Sequence, residues 1–214
     1  MDISKNLAPI STIVGNPVFL YTSAKLPVVN WQELLAHAKA RPNELNYASP
    51  NSPSLTFYVA LVTRRAPGFS YTTIGYKGSG EAVLGLVNGD AQFTVGNIAA
   101  ALGQLQAGTV RPMFVMAAKR SPLVPNMPTA AESGVNLNAT IYASLWAPKQ
   151  TPADIIQLLN RNAVAVTRLP EFGKRLTEAG NIPVGDTPEE CMQALQDEIR
   201  IFTEAAALMN YSPP

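Results

Sequence analysis

The residues best suited to chemistry in this chain lie in the stretch "IGYKGSGEAVLGLVNG", from Ile74 to Gly89. A short apolar run ends there in Gly78-Ser79-Gly80, and a helical pattern with apolar residues at i, i+3 and i+4 follows at once. A glycine-rich turn that opens a helix leaves backbone N–H groups pointing outward, where an anion binds favourably. The Ser79 hydroxyl and the charge of Lys77 suit the same role. A plain strand-to-helix turn with Ser79 as N-cap explains the spacing equally well.

The order of these residues excludes two nucleotide-binding motifs. A phosphate-binding P-loop needs glycine before its lysine and serine or threonine after it, whereas here Lys77 precedes Gly78. The dinucleotide fingerprint G-x-G-x-x-G does not match either. The turn is therefore not predicted to bind a nucleotide phosphate.

Two further polar turns follow predicted strands. In "LNYASPNSPSLTFYVALVTRR" a strand ends at Ala48 and a helix begins near Pro53, and the hydroxyl and amide side chains around this turn belong to Ser49, Asn51, Ser52 and Ser54. In "QFTVGNIAAALGQLQAG" a strand ends at Val95, and Gly96-Asn97 opens the next helix with Asn97 as a good N-cap. Each turn alone is explained as a capped connection. Three such turns at the carboxyl ends of strands in an α/β sheet indicate a small-molecule site.

The sequence does not offer the residues of a catalytic centre. The only histidine, His37, lies on the flank of an amphipathic helix and is predicted to be solvated surface. The single cysteine, Cys191, lies one turn into the last helix and is predicted to pack in the interior. Histidine, cysteine and carboxylate residues show no metal-binding spacing. We therefore predict a protein that is not an enzyme, with no catalytic residue, metal or cofactor.

Composition narrows the classes of partner. Hydrophobic residues make up 47% of the 214 residues, charged residues 14%, and the formal net charge is +1. Without a basic stripe, nucleic acid is not a predicted partner. No apolar run approaches the ~20 residues of a membrane helix. The N-terminus "MDISKNLAPIST" has no signal-peptide segment, which taken literally predicts a cytosolic protein.

The elements that must position the turns are short strands alternating with amphipathic helices. Strands are predicted at Leu7–Val14, Val18–Thr22, Leu45–Ala48, Tyr71–Ile74, Ala91–Val95, Val110–Ala117 and Tyr142–Trp146. Helix starts are predicted where a capping residue precedes an acidic residue by three, at Asn30/Glu33, Thr129/Glu132, Thr151/Asp154 and Thr187/Glu190. The last helix carries an apolar stripe from Met192 to Met209. The alternation predicts an α/β fold with a largely parallel sheet.

Five motifs together resemble the Bug/TctC solute receptors of tripartite tricarboxylate transporters. In chain order they are "NYASPNSPS", "GYKGSGEAV", "LVNGDAQFTVGN", "LQAGTVRPMFVMAAKRSPLVPNMPTAAESG" and "WAPKQTPADIIQLLN". The resemblance covers essentially the whole chain. It implies a periplasmic, non-catalytic receptor of two α/β lobes that binds a small carboxylate between them and works with membrane transporter subunits. Carried over residue by residue, it implies ligand contacts at Ser52, Ser54, Gly78, Ser79 and Asn97.

The resemblance also implies a domain organisation. The fold would be α/β and periplasmic-binding-protein-like (type II), with the second lobe complete and the first partial. Residues 15–122 would form the second lobe with the ligand turns, and residues 1–14 and 123–214 the interlobe crossings and the C-terminal part of the first lobe. The family's N-terminal part, with its signal peptide, would lie outside this sequence. Self-association through the incomplete first lobe is one expectation, and the alternative function is a protein-interaction or sensory module.

Two departures from the family pattern bear on ligand choice. Gly96 stands where an aspartate often precedes Asn97, and Glu81 stands where proline is frequent. Glu81 either complements the dipole of its helix or faces the ligand and repels a second carboxylate. The second alternative predicts a preference for monocarboxylates.

Overall fold

The strands and helices that flank the three turns form where the sequence predicts them. A computed structural model describes residues 3–211. Its strands are β1 (Leu7–Pro17), β2 (Phe19–Ser23), β3 (Leu45–Ser49), β4 (Tyr71–Gly75), β5 (Phe93–Gly96), β6 (Val110–Val115), β7 (Thr140–Pro148) and β8 (Ile182–Pro183). Its helices are α1 (Ile3–Asn6), α2 (Trp31–Ala40), α3 (Pro53–Arg64), α4 (Ser79–Asn88), α5 (Leu102–Gln106), α6 (Ala153–Thr167), α7 (Pro170–Glu178) and α8 (Pro188–Met209), with a 3-10 turn at Ile98–Ala100.

The strands form a five-stranded sheet in the order β4-β3-β5-β2-β6 and a three-stranded sheet in the order β7-β1-β8. In the larger sheet β3 runs parallel to β4 and β5, whereas β2 runs antiparallel to β5 and β6. The prediction of a largely parallel sheet is therefore wrong for two of the four strand pairings in the larger sheet. Every residue of β2 is buried. A strand buried on both faces is a continuous apolar run whichever way it points, so its direction is not encoded in the pattern.

Helices α3 and α4 anchor their turns because their apolar faces lie in the core. Helix α4 contributes Ala82, Val83 and Leu86, each at most 2% exposed, to a cluster with residues of β2, β3 and β6. Helix α3 buries Leu55, Tyr58 and most of the following turn. Burying such side chains contributes about 1.5–3 kcal/mol each, which holds the polar ends of both helices in place.

Two of the four predicted capping pairs form as expected. In α2 the Asn30 Oδ1 accepts the Glu33 N–H at 2.9 Å. In α8 the Thr187 Oγ1 accepts the Glu190 N–H at 3.2 Å, and Glu190 accepts the Thr187 N–H at 2.9 Å. The caps fix where both helices begin.

Of the other two predicted helix starts, the one at Thr129 is wrong, whereas the one at Thr151 is a helix start displaced by one residue. Thr129 and Glu132 make both capping bonds, at 2.7 and 3.2 Å, but they close a turn rather than a helix. Gly134, with φ of 81°, follows at once in the left-handed region that ends helices. Helix α6 has Pro152 at its N-cap and no side-chain cap, so Thr151 lies one position too early to serve.

A part-buried polar network ties together the elements around the three-stranded sheet. The Asp186 carboxylate accepts the Thr12 N–H at 2.6 Å, and the Asn160 amide donates to the carbonyls of Ile10 and Asp186 at 2.8 Å each. Gly185, just before Asp186, has φ of 80°, and a Cβ there would lie 2.1 Å from the Thr167 Oγ1. The loop before α8 thus depends on Gly185 and on the Asp186 carboxylate. The helical and strand periodicities of the sequence do not indicate either requirement.

The chain divides into two compact units. The five-stranded unit comprises Pro17–Thr140 and the chain from Glu204 onward, and the three-stranded unit comprises the chain up to Asn16 and Ile141–Thr203. Residues 123–140 lie in the range that the resemblance assigns to the interlobe crossings and the C-terminal part of the first lobe, and they pack with the five-stranded unit. They do so because Val115 and Ala130 are joined by a backbone hydrogen bond of 2.7 Å and the Ala139 N–H donates to the Met116 carbonyl.

The Arg120–Glu132 pair gives the first prediction, a pH dependence of stability. The Arg120 guanidinium and the Thr129 N–H hold the pKa of the Glu132 carboxyl at about 2, below its ordinary 4.5. A lowered folded-state pKa contributes stability that is present above pH 4.5 and is lost as the pH falls towards 2. We expect Glu132→Gln to flatten the dependence of the unfolding free energy on pH in this window, measured by urea denaturation. The control Glu171→Gln, which breaks the exposed pair with Arg175, should leave it unchanged; equal effects would contradict the assignment.

Candidate functional site

The parallel pairing of three strands brings the three polar turns to one sheet edge. Strand β3 lies between β4 and β5, with Ser49 in register with Gly75 and Ala48 in register with Thr94. All three strands end at this edge, and the chain leaves each into a helical segment. The turns that carry Ser52, Gly78-Ser79 and Asn97 are therefore neighbours, as the sequence predicts for a binding edge.

Two turns are also joined directly by Tyr76. The Tyr76 N–H donates to the Ser49 carbonyl at 2.8 Å, so the backbone before Gly78 is tied to the end of β3. The Tyr76 ring lies on α4 at Gly85, where a Cβ would meet the phenol oxygen at 2.4 Å. Burial, and then the nearby Asp90, raise the pKa of Tyr76, so the phenol is neutral. The glycine in α4 thus allows the ring to hold the Tyr76-Lys77-Gly78 turn against the helix.

The N-terminus of α4 carries no side-chain cap. Gly78, and not Ser79, occupies the N-cap position, with φ of −178° and ψ of 176°. The interpretation of Ser79 as N-cap is therefore wrong, and its half-buried hydroxyl makes no hydrogen bond with any residue in the range 3–211. The backbone N–H groups of Gly78, Ser79 and Gly80 likewise have no acceptor within that range. Four donors are left at the positive end of a ten-residue helix dipole.

Glu81 lies on the same turn and supplies a negative charge. Its Oε2 accepts the Lys77 N–H at 3.1 Å, and its side chain is exposed. Glu81 is the third residue of α4, where a carboxylate complements the helix dipole. This contact fits the first of the two roles that the sequence leaves open for Glu81, and it also keeps the carboxylate on the turn that carries the free donors.

The serine-rich turn resembles the glycine-rich one. Ser52 is the N-cap of α3, and its backbone carbonyl accepts the Thr56 N–H at 3.0 Å, but its side chain makes no capping bond. Ser54 follows in the first turn and is half-buried. Asn51, with φ of 54°, turns the chain in the left-handed region between the strand and the helix. Neither the Ser52 nor the Ser54 hydroxyl makes a hydrogen bond with another residue in the range 3–211, so both are available to a ligand.

The third turn contributes an amide. The Asn97 Oδ1 accepts the Ala100 N–H at 3.0 Å, so the predicted cap forms and the Nδ2 group is left as an exposed donor. A Cβ at Gly96 would lie 3.5 Å from the Ser79 Oγ, which places the Ser79 hydroxyl beside the start of this turn. The structure thus brings Ser79 next to Gly96, which is 17 positions further along the chain.

The donors at this edge suit an anion that accepts several hydrogen bonds. They comprise backbone N–H groups, serine hydroxyls and one amide, and the nearby cation Lys77 forms no ion pair within residues 3–211. A carboxylate has about four lone-pair positions and can accept from several donors at once. No strong base or activated nucleophile lies among these residues.

Residues outside the edge show no chemistry of their own. Cys191 is 1% exposed, and burial raises the pKa of its thiol, which keeps it protonated. His37 is half-buried on α2 rather than fully solvated. Over the described part of the chain no three His, Cys, Asp or Glu residues are grouped to hold a metal, and no helix there is long and apolar enough to cross a bilayer.

Tyr76 and Gly85 are parts of this site that the sequence pattern does not single out. In the sequence Tyr76 marks only the end of an apolar run, and Gly85 is a gap in the helical pattern. A glycine inside a predicted helix is the available signal, since it costs about 1 kcal/mol against alanine and so indicates a packing reason.

Comparison with known proteins gives a family for these features. The sequence model described as "Tripartite tricarboxylate transporter family receptor" matches residues 1–206. The chain is similar to protein BugT of Bordetella pertussis, with 30% identity over 199 residues that make up 92% of this chain and 61% of that protein. The chain spans about three fifths of the length of the curated relatives it matches.

Two solved structures are similar over most of this chain. An R. palustris protein with adipate is 28% identical with a TM-score of 0.85, and the match covers 100% of this chain and 72% of that one. MatC from Rhodopseudomonas palustris with bound malate is 25% identical with a TM-score of 0.76, covering 93% and 69%. The predicted α/β class and the predicted likeness to periplasmic solute-binding proteins are confirmed.

The second prediction separates capping from binding. Because Ser79 caps nothing, Ser79→Ala should change the unfolding free energy by less than about 0.5 kcal/mol. Asn30→Ala removes a formed cap and should cost about 0.5–2 kcal/mol. Urea denaturation of both variants measures the difference. A Ser79→Ala loss as large as that of Asn30→Ala would show that Ser79 is a cap after all.

Proposed function

Because the chain belongs to the tripartite tricarboxylate transporter receptor family, we propose that it binds a small carboxylate at the edge formed by β4, β3 and β5. The family is one of solute-binding receptors and not of enzymes. The predicted contacts Ser52, Ser54, Gly78, Ser79 and Asn97 are all part of this proposal.

The observation that carries the proposal is the pair of uncapped helix ends. Helices α3 and α4 begin at this edge without a side-chain cap, although serine stands at or next to each N-cap. A free serine at a helix start normally bonds to its own backbone. Hydroxyls and amides that are left unpaired together favour an external acceptor over self-capping.

Each residue has a distinct role in the proposed complex. One carboxylate oxygen accepts from the Ser79 hydroxyl and the first N–H groups of α4. The other oxygen accepts from Ser52, Ser54 or the Asn97 amide. Gly78 has no side chain, and a Cβ added there would meet no atom within 4 Å; in the proposed complex the ligand takes up this open space. Each hydrogen bond of this kind contributes about 0.5–1.5 kcal/mol.

The biological setting follows from the family. We propose an extracytoplasmic, periplasmic receptor that delivers its ligand to membrane subunits of a tripartite tricarboxylate transporter. The similar proteins include one described as a periplasmic transporter. The R. palustris relatives with adipate and malate make small aliphatic acids the first ligands to test.

The third prediction tests the proposed contacts through Gly78. Gly78→Val should keep the fold and weaken carboxylate binding by about tenfold or more, because one or two hydrogen bonds are lost. Isothermal calorimetry with a panel of mono- and dicarboxylates, including adipate and malate, measures the affinity. Gly103→Val on α5, where an added Cβ also meets nothing, is the matched control and should bind normally.

Two results would contradict the proposal. If no carboxylate of the panel binds to or thermally stabilises the unmodified chain, the receptor function fails. If Gly78→Val binds as tightly as the unmodified chain, the ligand does not lie on the α4 N-terminus.

A second proposal, self-association, rests on an apolar row in the three-stranded unit. Helix α6 exposes Ile155, Leu158, Leu159 and Val166 by 41–46%, and Leu169 just after the helix by 53%. The four helix positions share one face of α6. Apolar rows of this kind mark interaction sites. We propose that copies of the chain meet through this face; a different protein partner, as in the interaction-module alternative, is the competing occupant.

The fourth prediction concerns this row. The unmodified chain should form dimers at about 100 µM in sedimentation velocity, the range of weak association. Leu158→Lys should shift it to monomer by placing a charge in the contact. Val29→Lys, at a 61% exposed position of the five-stranded unit, should have no effect. A monomeric unmodified chain at this concentration would exclude the self-association.

A further inference from the structure

We propose that the Glu81 carboxylate is a charge filter, which makes the site prefer ligands with one carboxylate to ligands with two. The inference rests on the proposed carboxylate site and deepens it by naming the charge class of the ligand. It starts from the contact between Glu81 Oε2 and the Lys77 N–H, 3.1 Å long, at the mouth of the uncapped α4 turn.

The contact fixes a negative charge next to the free donors. Glu81 is the third residue of α4 and Gly78 its N-cap, so the carboxylate and the N–H groups of Gly78, Ser79 and Gly80 lie within one helical turn. Bonding to Lys77 holds the side chain back over the turn instead of letting it extend into solvent. The Glu81 carboxylate therefore already accepts one N–H group of the turn. Its negative charge repels any anion that approaches the remaining N–H groups.

The Lys77 ammonium balances the charge of Glu81 but does not remove the preference for ligands with one carboxylate. Lys77 is exposed and forms no ion pair within residues 3–211, so the turn carries one cation and one anion. A monocarboxylate meets a turn that is neutral overall and gains the hydrogen bonds. The second charge of a dicarboxylate gains no further hydrogen bond from this turn and meets Glu81 as an additional repulsion.

The expected size of the repulsion is modest and depends on salt. Two like charges about 6 Å apart in a water-exposed setting weaken binding by about two- to threefold at low ionic strength. With a Debye length of about 8 Å at 0.15 M salt, much of this effect is screened. The filter should therefore be visible at 0.01 M salt, where the screening length is about 30 Å.

The start of α2 offers a carboxylate in the same capping position as Glu81 but away from the proposed ligand. The same capping geometry occurs at Glu33, whose Oε2 accepts the Val29 N–H at 2.8 Å at the start of α2. That carboxylate lies at the opposite edge, because β2 runs antiparallel to β5 and α2 follows β2. Glu33 is thus a matched control with the same exposed carboxylate and the same type of bond, away from the proposed ligand.

The experiment compares hexanoate and adipate, which share a six-carbon chain and differ by one carboxylate. Affinities are measured by calorimetry at 0.01 and 0.3 M salt for the unmodified 214-residue chain and for Glu81→Gln and Glu33→Gln. Glutamine keeps an oxygen that accepts the Lys77 N–H, so the shape of the turn is preserved. We expect the unmodified chain to bind hexanoate more tightly than adipate. Glu81→Gln should raise adipate affinity by about fivefold and hexanoate affinity by about twofold at low salt, and Glu33→Gln should change neither.

The outcomes distinguish this inference from the proposed function. If both acids bind but Glu81→Gln changes their affinities by the same factor, or not at all, the filter is excluded and the receptor function stands. Equal gains from Glu33→Gln would assign the effect to overall charge and also exclude it. If neither acid nor any other carboxylate binds, the proposed function fails, and the filter with it.

Discussion

The parallel alignment of β4, β3 and β5 is the constraint on which the proposed site depends. Because all three strands end at one edge, residues as distant in the chain as Ser52, Ser79 and Asn97 are placed on neighbouring turns. Apolar packing holds the strands in this alignment: α4 buries Val83 and Leu86, and every residue of β5 is buried. The polar ends are thus held by apolar packing several ångströms away, and the donors need no bonds among themselves to stay in position. A rigid scaffold of this kind lowers the entropy cost of ordering donors around a ligand.

The sequence predicts most of this architecture and little of the local geometry. Seven of the eight described strands are predictable because each is an apolar run bounded by turn residues. Strand β8 has only the two residues Ile182–Pro183, which are too few to show a periodic pattern. The antiparallel direction of β2 is not predictable because burial on both faces hides it. The N-cap of α4 is misplaced by one residue, since the serine and the glycine at this helix start are both acceptable N-caps. The contacts of Tyr76 with Gly85 and of Thr12 with Asp186 depend on the folded geometry, and a single sequence does not record such pairs.

Leaving the starts of α3 and α4 uncapped has a cost that the rest of the chain offsets. A missing cap lowers stability by about 1 kcal/mol. In α2 and α8 the chain uses full capping pairs, which shows that the residues for it are available. In α4 the nearest carboxylate, Glu81, bonds to Lys77 rather than to the first N–H groups of the helix. Helices α6 and α7 also begin without a side-chain cap, so what distinguishes the starts of α3 and α4 is the serine that stands at or next to each N-cap without bonding to the helix.

The chemistry of the donors also fits a receptor that must release its ligand. Charge-assisted bonds from arginine to a carboxylate are roughly twice as strong as neutral ones, and they favour retention. The described arginines with close carboxylate contacts bind glutamate or aspartate side chains away from the sheet edge: Arg120 contacts Glu132, Arg65 contacts Glu204, Arg175 contacts Glu171 and Arg200 contacts Asp197. The edge instead offers serine hydroxyls, backbone N–H groups and an amide, with one lysine balanced by one glutamate. In the proposed complex, several neutral bonds on a preorganised turn would give selectivity by geometry, and the modest strength of each would keep dissociation fast enough for transfer.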